Sequence, residues 1–415
     1  MPINKELHRK DIPFLVPDLP NCEQIMPFLQ DIDRNRWYSN FGPIQHRFEQ
    51  RLNQIFFPHI QDAEERVVAC SSGTTAIELA LLALDLPKNA RVLLPSFTFA
   101  ATATAVIRAG YCPVFTDVDP ESWLLTTEIA TQVLNYLTVD AVIPVASLGM
   151  PQNIQKWDAF SRDRGIPVVI DAAPALGEQS VGNRSIVCFS MHATKWFGIG
   201  EGGLVVTPQA EQAKRIRRLS NFGFENGEVL TAGSNYKLSE YHAAIGMAQI
   251  ERINRLKIRR ERVRACYEKH IPSLEQFFSS QQRDFDEWQG EPGVVSLKQP
   301  KFNAALALKM KDPNSEEILP KVIDKLQSEG VGVRRWYSPV LHLHRAFKDY
   351  VTINPIGQSQ LPVTSALNSS LVGLPFHNFL KETEIDFVCE RLLQTLMQLQ
   401  RRKSRQKKSH IKSLR

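Results

Sequence analysis

Lys195 lies in the stretch Ile186 to Val206, IVCFSMHATKWFGIGEGGLVV, between two short apolar runs. No acidic residue stands closer to it in sequence than Glu201. A lysine so placed is poorly suited to a surface ion pair. Desolvation disfavours its ammonium, lowers its pKa and leaves the amine available as a nucleophile. The chemistry open to such an amine is Schiff-base formation with an aldehyde. The competing reading is a loop lysine that reaches solvent, and the neighbouring motifs decide between the two.

Four motifs bear on that choice. In GIPVVIDAAPALG a fully apolar run delivers one carboxylate, Asp171. A buried acid needs a partner, and a protonated pyridine nitrogen would be one. In CSSGTTAIELALLAL, Ser72, Gly73 and Thr74 open a helix. There glycine permits close approach of an anion, and free N–H groups with hydroxyls point at it. A phosphate cradle and a plain N-cap look alike at this level, but a Walker A loop is excluded because no lysine follows in the required place. In LLPSFTFAATATAVIRAG, Phe97 and Phe99 sit beside small residues, able to stack on a flat heteroaromatic ring or simply to fill a core. Ser190 precedes Lys195 by five residues, so a hydroxyl can reach a phosphate while the amine reaches an aldehyde carbon. Taken together, phosphate loop, ring aromatic, pyridine carboxylate, phosphate serine and lysine describe the needs of pyridoxal 5'-phosphate (PLP).

The elements that must position these groups are legible as short apolar runs alternating with helical patterns. The runs are Val67–Cys70, Arg91–Leu94, Pro113–Phe115, Ala141–Val145, Pro167–Ile170, Ile186–Phe189 and Leu204–Val206. Helices are expected over Thr74–Leu84, Ala100–Ala109 and Ile154–Arg164. This is the pattern of an α/β fold with a mostly parallel seven-stranded sheet and helices on both faces. In such sheets ligands sit at the carboxyl ends of the strands, where all four motifs fall. Upstream, Cys22 to Asp33 reads as a short helix and Pro43 opens another, with Ile44, Phe48, Leu52 and Ile55 on one face. The Trp37–Gly42 loop before it, with Tyr38, could line a pocket or simply pack.

Length and composition bound the rest. The 415 residues exceed what one core ordinarily organises, and the expected division is residues 1–250 as an N-terminal segment and large domain, 251–400 as a small C-terminal α/β domain, and 401–415 as a basic disordered tail. Six cysteines without a C-x-x-C pair or a His/Cys cluster point to free thiols and no metal site. With no signal-peptide core and no run of about 18 apolar residues, a cytosolic protein is expected, without membrane insertion. The net charge of +6 comes from the tail: the last fifteen residues hold eight Lys or Arg and no acid, and without them 42 basic residues face 44 acidic ones, a net of −2. No aromatics are interleaved for base stacking, so nucleic acid is not an expected partner.

On NFGPIQHRFEQRL, SSGTTAIELAL, PSFTFAATATAVIRAG, DAAPALG, FSMHATKWFGIGEGG, NYKLSEYHAAIGMAQIERI, WYSPVLHLHRAF and LPFHNFLKETEIDFV, the chain resembles the PLP-dependent sugar aminotransferases of the DegT/DnrJ/StrS type, with the fold-type-I architecture of aspartate aminotransferase, from about Arg34 to Leu396. The resemblance implies that Lys195 carries the cofactor and Asp171 pairs with its pyridine nitrogen. It implies that Phe99 covers one ring face, and that Ser72, Gly73, Thr74 and Ser190 hold the phosphate, joined by Asn235 from the neighbouring subunit of a homodimer with shared active sites. The implied reaction moves an amino group from glutamate or glutamine to a keto-sugar, nucleotide-linked, in amino-sugar biosynthesis. A PLP-binding regulatory relative, an aminocyclitol aminotransferase or a lyase are the alternatives on this scaffold. Two departures stand out: Ile170 where related enzymes usually carry an acid, and Pro174 where they often carry Gln or His near the ring. Lysine at 195, rather than the histidine of the dehydratase branch, argues against sugar 3-dehydration.

Beyond Tyr236, Ala243 to Tyr267 reads as one long helix whose many arginines are mostly solvated, some able to face an anionic nucleotide-sugar. Residues 271 to 300 read as a variable loop. Phe302–Met310, a helix over Leu319–Ser328 and Val331–Val333 suggest the small lobe. His342 then stands as a substrate-side contact or a packed histidine.

Overall fold

A computed structural model describes the backbone of residues 11–60, 66–279 and 306–413, and side chains to Arg401. Seven strands build the main sheet: β1 (Val67–Cys70), β2 (Arg91–Pro95), β3 (Cys112–Thr116), β4 (Ala141–Val142), β5 (Val169–Asp171), β6 (Ile186–Ser190) and β7 (Gly203–Val206). β3, β2 and β4 run parallel. Parallel bridges from Val142 to Val168 and from Val145 to Asp171 join them to β5. The order is therefore β3-β2-β4-β5-β6-β7-β1, with β7 alone reversed between β6 and β1. β4 is shorter than the expected Ala141–Val145. Pro144 has no N–H for a ladder, although its carbonyl accepts from Asp171 N at 3.0 Å.

Alternate residues of each strand enter different cores, as the two-residue period requires. Val67, Ala69, Leu93, Ile170, Val187 and Leu204 face one hydrophobic cluster. Val68, Cys70, Leu94, Val169, Cys188 and Val205 face the other. The first face is covered by α1 (Cys22–Asn35), α2 (Pro43–Phe56), α5 (Thr127–Val133), α6 (Ile154–Arg164) and α8 (Glu240–Glu251); the second by α3 (Gly73–Ala83), α4 (Ala100–Arg108) and α7 (Ala210–Ser220). Both faces are thus buried, which accounts for the near-continuous apolar strand sequences. A short hairpin, β8 (Phe224–Glu225) and β9 (Glu228–Val229), stands exposed after α7.

The expected single helix from Ala243 to Tyr267 is two. α8 ends at Arg252, and α9 runs Ile253–Glu268. Its arginines are not mostly solvated. Arg252 binds Asp18 at 2.5 Å with both side chains under 10% exposed, and Arg259 meets the same carboxylate at 3.2 Å. Arg260 is buried, and desolvation pulls its pKa down to about 9. It lines a cavity of about 10 Å³ with Thr194, Lys195, Trp196, His377 and Asn378, room for roughly one water.

A third core gathers around the antiparallel strands β10 (Phe278–Ser279), β11 (Leu306–Met310) and β12 (Leu371–Leu374), with α9, α10 (Ile271–Leu274), α11 (Ser315–Ser328) and α13 (Glu382–Ser413). α12 (Pro362–Ser370) leads into β12. Within the segment read as a variable loop, residues 271–279 hold α10 and β10, and residues 280–305 lie outside the described residues. The basic tail also differs from its expected disorder. The backbone of α13 continues as helix to Ser413.

Candidate functional site

The carboxyl ends of β1, β2, β5 and β6 lie along one edge of the sheet, and the reversal of β7 brings its first residue there too. Gly203 pairs with both Cys70 and Ser190. A β-carbon on Gly203 would fall 2.0 Å from the Ser72 carbonyl oxygen, so only glycine lets the loop after β1 close over β7.

That loop begins α3. Ser72 is its N-cap, and its hydroxyl accepts from Thr75 N at 3.2 Å while Thr75 Oγ1 accepts from Ser72 N at 3.0 Å, a reciprocal capping box. Gly73 and Thr74 follow as the first helical residues, their N–H groups at the positive end of an eleven-residue helix. Across from them stands Ser190, the last residue of β6. A β-carbon on Gly73 would meet Ser190 Cβ at 2.7 Å and Oγ at 3.1 Å. Residues 72–74 and Ser190 therefore stand against one another at the start of α3, with Ser72 serving as its N-cap.

Asp171 ends β5 and is 4% exposed. Its Oδ2 accepts from the Thr102 hydroxyl at 2.7 Å and its Oδ1 from Ala173 N at 3.1 Å. Desolvation raises its pKa, opposed by these two donors and by the charge of Lys195. Lys195 sits in the β6–β7 connection, which is closed by Met191 N to Gly202 O (2.8 Å), Ala193 N to Gly200 O (2.7 Å) and Lys195 N to His192 O (2.8 Å). Gly200 adopts φ +95°, which favours glycine. The next two residues, Trp196 and Phe197, are buried, and the Trp196 indole donates to Leu176 O at 2.8 Å, anchoring the backbone on either side of the lysine. Lys195 itself is partly accessible. Desolvation lowers its pKa, and Asp171 opposes that shift.

Phe99 N-caps α4 with its ring 61% exposed, whereas Phe97 is fully buried against Tyr337, ring centroids 5.2 Å apart. The two phenylalanines thus separate into one core residue and one free face. His342 is half-buried, with Nδ1 2.7 Å from Ser96 Oγ, which also accepts from His342 N at 3.1 Å. The Ser96 hydroxyl can both accept from His342 N and exchange a hydrogen bond with Nδ1, so it fixes the ring's orientation in either tautomer. Burial also lowers the His342 pKa. Tyr38 is stacked on Tyr241, ring centroids 6.2 Å apart. Asn235 is exposed, on a segment bridged to Asn221.

Thr102 and His192 escaped the sequence reading, and Tyr337 was legible only as part of the WYSPVLHLHRAF stretch. Thr102 looks like filler in AATATAV. Tyr337 reaches the Asp171 region only through the return of residues 336–342, and burial first, then the Asp171 charge, pushes its hydroxyl pKa up. His192 holds Thr194 Oγ1 at 2.7 Å beside the lysine. Its spacing of three from Lys195 was the available signal. Among the described residues no group of three His, Cys, Asp or Glu could hold a metal ion.

The residues present fit PLP: a cradle for a phosphate, an exposed aromatic face, a buried carboxylate and a desolvated amine. The model of the DegT/DnrJ/EryC1/StrS aminotransferase family matches residues 21–393. Protein Rv3402c of Mycobacterium tuberculosis is 29% identical over 388 residues, covering 90% of this chain and 87% of that protein. Among solved structures, one from Bacillus cereus ATCC 10987 assigned as a PLP-dependent aminotransferase shares 27% identity at a TM-score of 0.80, covering 92% of this chain and all of that one. DesI, solved in the presence of its TDP-sugar product, shares 26% at a TM-score of 0.79, covering 97% and 96%. The chain is a fold-type-I aminotransferase with pyridoxal phosphate as cofactor, and it belongs to the DegT/DnrJ/EryC1/StrS aminotransferase family.

Proposed function

We propose that this enzyme transfers an amino group from glutamate or glutamine to a nucleotide-linked keto-sugar, as a step in amino-sugar biosynthesis. The observation that carries the transfer chemistry is the pairing of Lys195, its ammonium disfavoured by desolvation, with the buried Asp171 at one sheet edge. The similarity to DesI supports the sugar side.

The cofactor, when bound, supplies an aldehyde that accepts the amino group and a ring that absorbs electrons. Lys195 would hold it and, once displaced by the incoming amine, move a proton from the donor's α-carbon as general base and return it as general acid. Asp171 would pair with the pyridine nitrogen and keep it cationic. Ser72, Gly73, Thr74 and Ser190 would bind the phosphate, and Phe99 would cover one ring face, excluding water from it. His342, its ring held by Ser96, is assigned to the sugar, as is Tyr38.

A homodimer completes this reading, with Asn235 reaching the neighbour's phosphate. Exposed apolar side chains on the segment before Asn235, Phe222 (47%), Phe224 (46%), Val229 (53%) and Leu230 (53%), support a covered surface there. The division into residues 1–250, 251–400 and a basic tail belongs to the same proposal, supported by the third core around β10–β12. So does a cytoplasmic location, supported by six free cysteines, four of them buried. No helix among the described residues is long and apolar enough to cross a membrane.

The test is a spectral titration of the purified enzyme. The cofactor's visible absorbance should bleach on adding glutamate or glutamine and return on adding a nucleotide-linked keto-sugar. Recovery with a keto-cyclitol alone would move the assignment to aminocyclitols, and indifference to every amino donor would refute it.

A further inference from the structure

Thr98, in the loop before α4, and Thr102, in its first turn, stand four residues apart. Their hydroxyl oxygens are 3.0 Å apart, and Thr102 donates to Asp171 Oδ2. The three side chains are 1%, 0% and 4% exposed, so bulk water does not compete for these bonds. Each hydroxyl has one hydrogen. Once Thr102 gives its hydrogen to the carboxylate, the remaining contact must run from the Thr98 hydroxyl to the Thr102 oxygen, so the direction of the chain is forced. Buried chains of this kind polarise along their length.

The far end of the chain is also fixed. Thr98 belongs to the loop 96–99, held by His342 on Ser96, by Ser147 Oγ donating to Phe97 O at 3.1 Å, and by the Tyr337 ring on Phe97. The same loop presents the exposed ring of Phe99. A polar chain thus joins the carboxylate assigned to the pyridine nitrogen with the loop assigned to the ring face.

We propose that Thr102, oriented by Thr98, is a positioning residue for the cofactor: its hydroxyl holds Asp171 as an anion turned toward the pyridine nitrogen and locks it to the loop that carries Phe99. The proposal rests on the reading that Asp171 pairs with that nitrogen. Without the Thr102 donor, Asp171 takes up a proton at higher pH. A protonated carboxyl cannot pair with a cationic pyridine, so the loss of cofactor on the acid side must begin at higher pH.

The experiment measures pyridoxal phosphate binding to the apo full-length chain across pH, by equilibrium dialysis, with circular dichroism to check folding. Thr102→Val should weaken binding about tenfold at neutral pH, with the acid limb of the profile moved upward. Thr98→Val should move it the same way by less, and Thr102→Ser should restore it. A Thr102→Val profile parallel to wild type, or Thr102→Ser as defective as the valine variant, overturns the proposal and leaves Thr102 as packing. If Thr102→Val does not fold, Thr98→Val decides: an unmoved acid limb overturns it. Asp171→Asn separates the two levels. Wild-type affinity there refutes the pairing of Asp171 itself, whereas lost affinity with an unmoved Thr102→Val limb refutes only the role of Thr102.

Discussion

A β-carbon on Gly73 would lie 2.7 Å from the Cβ of Ser190, so the start of α3 and the end of β6 touch where Gly73 carries no side chain. Real β-carbons do not approach so closely, and Gly73→Ala must push the two elements apart. We expect a folded protein whose affinity for pyridoxal phosphate falls by about tenfold or more, since displaced N–H donors lose their hold on the anion. Isothermal titration of the apo chain would check this, and unchanged affinity would remove the cradle from the site.

Lys195 carries the heaviest burden. Lys195→Ala should cost on the order of 10³-fold or more in turnover, and reductive trapping followed by peptide mass spectrometry should place no cofactor on the variant. A trapped adduct elsewhere would reassign the lysine.

The titration of that amine has a definite sign. Desolvation sets the Lys195 pKa below the ordinary 10.5 and Asp171 opposes the shift. In the apo chain, the midpoint for labelling Lys195 with an amine-directed reagent should therefore lie below 10.5. In Asp171→Asn, which removes the opposing charge, it should fall further. A midpoint that rises in the asparagine variant contradicts the geometry. The same substitution should leave the apo chain as stable or more stable at neutral pH: the folded pKa of Asp171 is raised, so its ionised form opposes folding as pH rises through that window.

Stability away from the site rests on Glu49. Its carboxylate is 2% exposed and is held by Arg217 at 3.2 and 2.9 Å and by Ala69 N at 2.8 Å. Arg217→Met strands a buried charge, which costs about 3–5 kcal/mol. Denaturant unfolding should show the midpoint fall, and an unchanged midpoint would mean that the remaining donors suffice.

Deleting residues 401–415 removes eight positive charges and takes the formal net charge from +6 to −2. Turnover should be unaffected while ion-exchange behaviour reverses. A large loss of turnover would give the tail a role in the reaction.

Which parts of this were readable from residue order follows from range. The seven strands, α3, α4 and α6 were readable to within a few residues because their signals are local: apolar runs, a capping serine, a stop glycine such as Gly165 after α6. Lys195 and Asp171 were readable because each stands out chemically in an apolar context. What escaped needed distant partners. Arg252 and Arg260 look like solvent-facing helix residues until Asp18, 234 residues from Arg252, and Phe376 close over them. Thr102 looks like filler until Asp171 arrives from 69 residues away. The break at Arg252 carries neither proline nor glycine, so no residue type announces it.

The reversal of β7 has a consequence for how the catalytic apparatus comes into being. Ser190 and Lys195 share a turn that closes between neighbouring antiparallel strands, a loop of low closure entropy that a refolding chain can find early. Asp171 meets Thr102 only after β2 and β5 are brought into one sheet through β4. During refolding, Ser190 and Lys195 should therefore be in place before Thr102 reaches Asp171, and newly made polypeptide should gain its grip on the vitamin only as the last long-range strand pairings form.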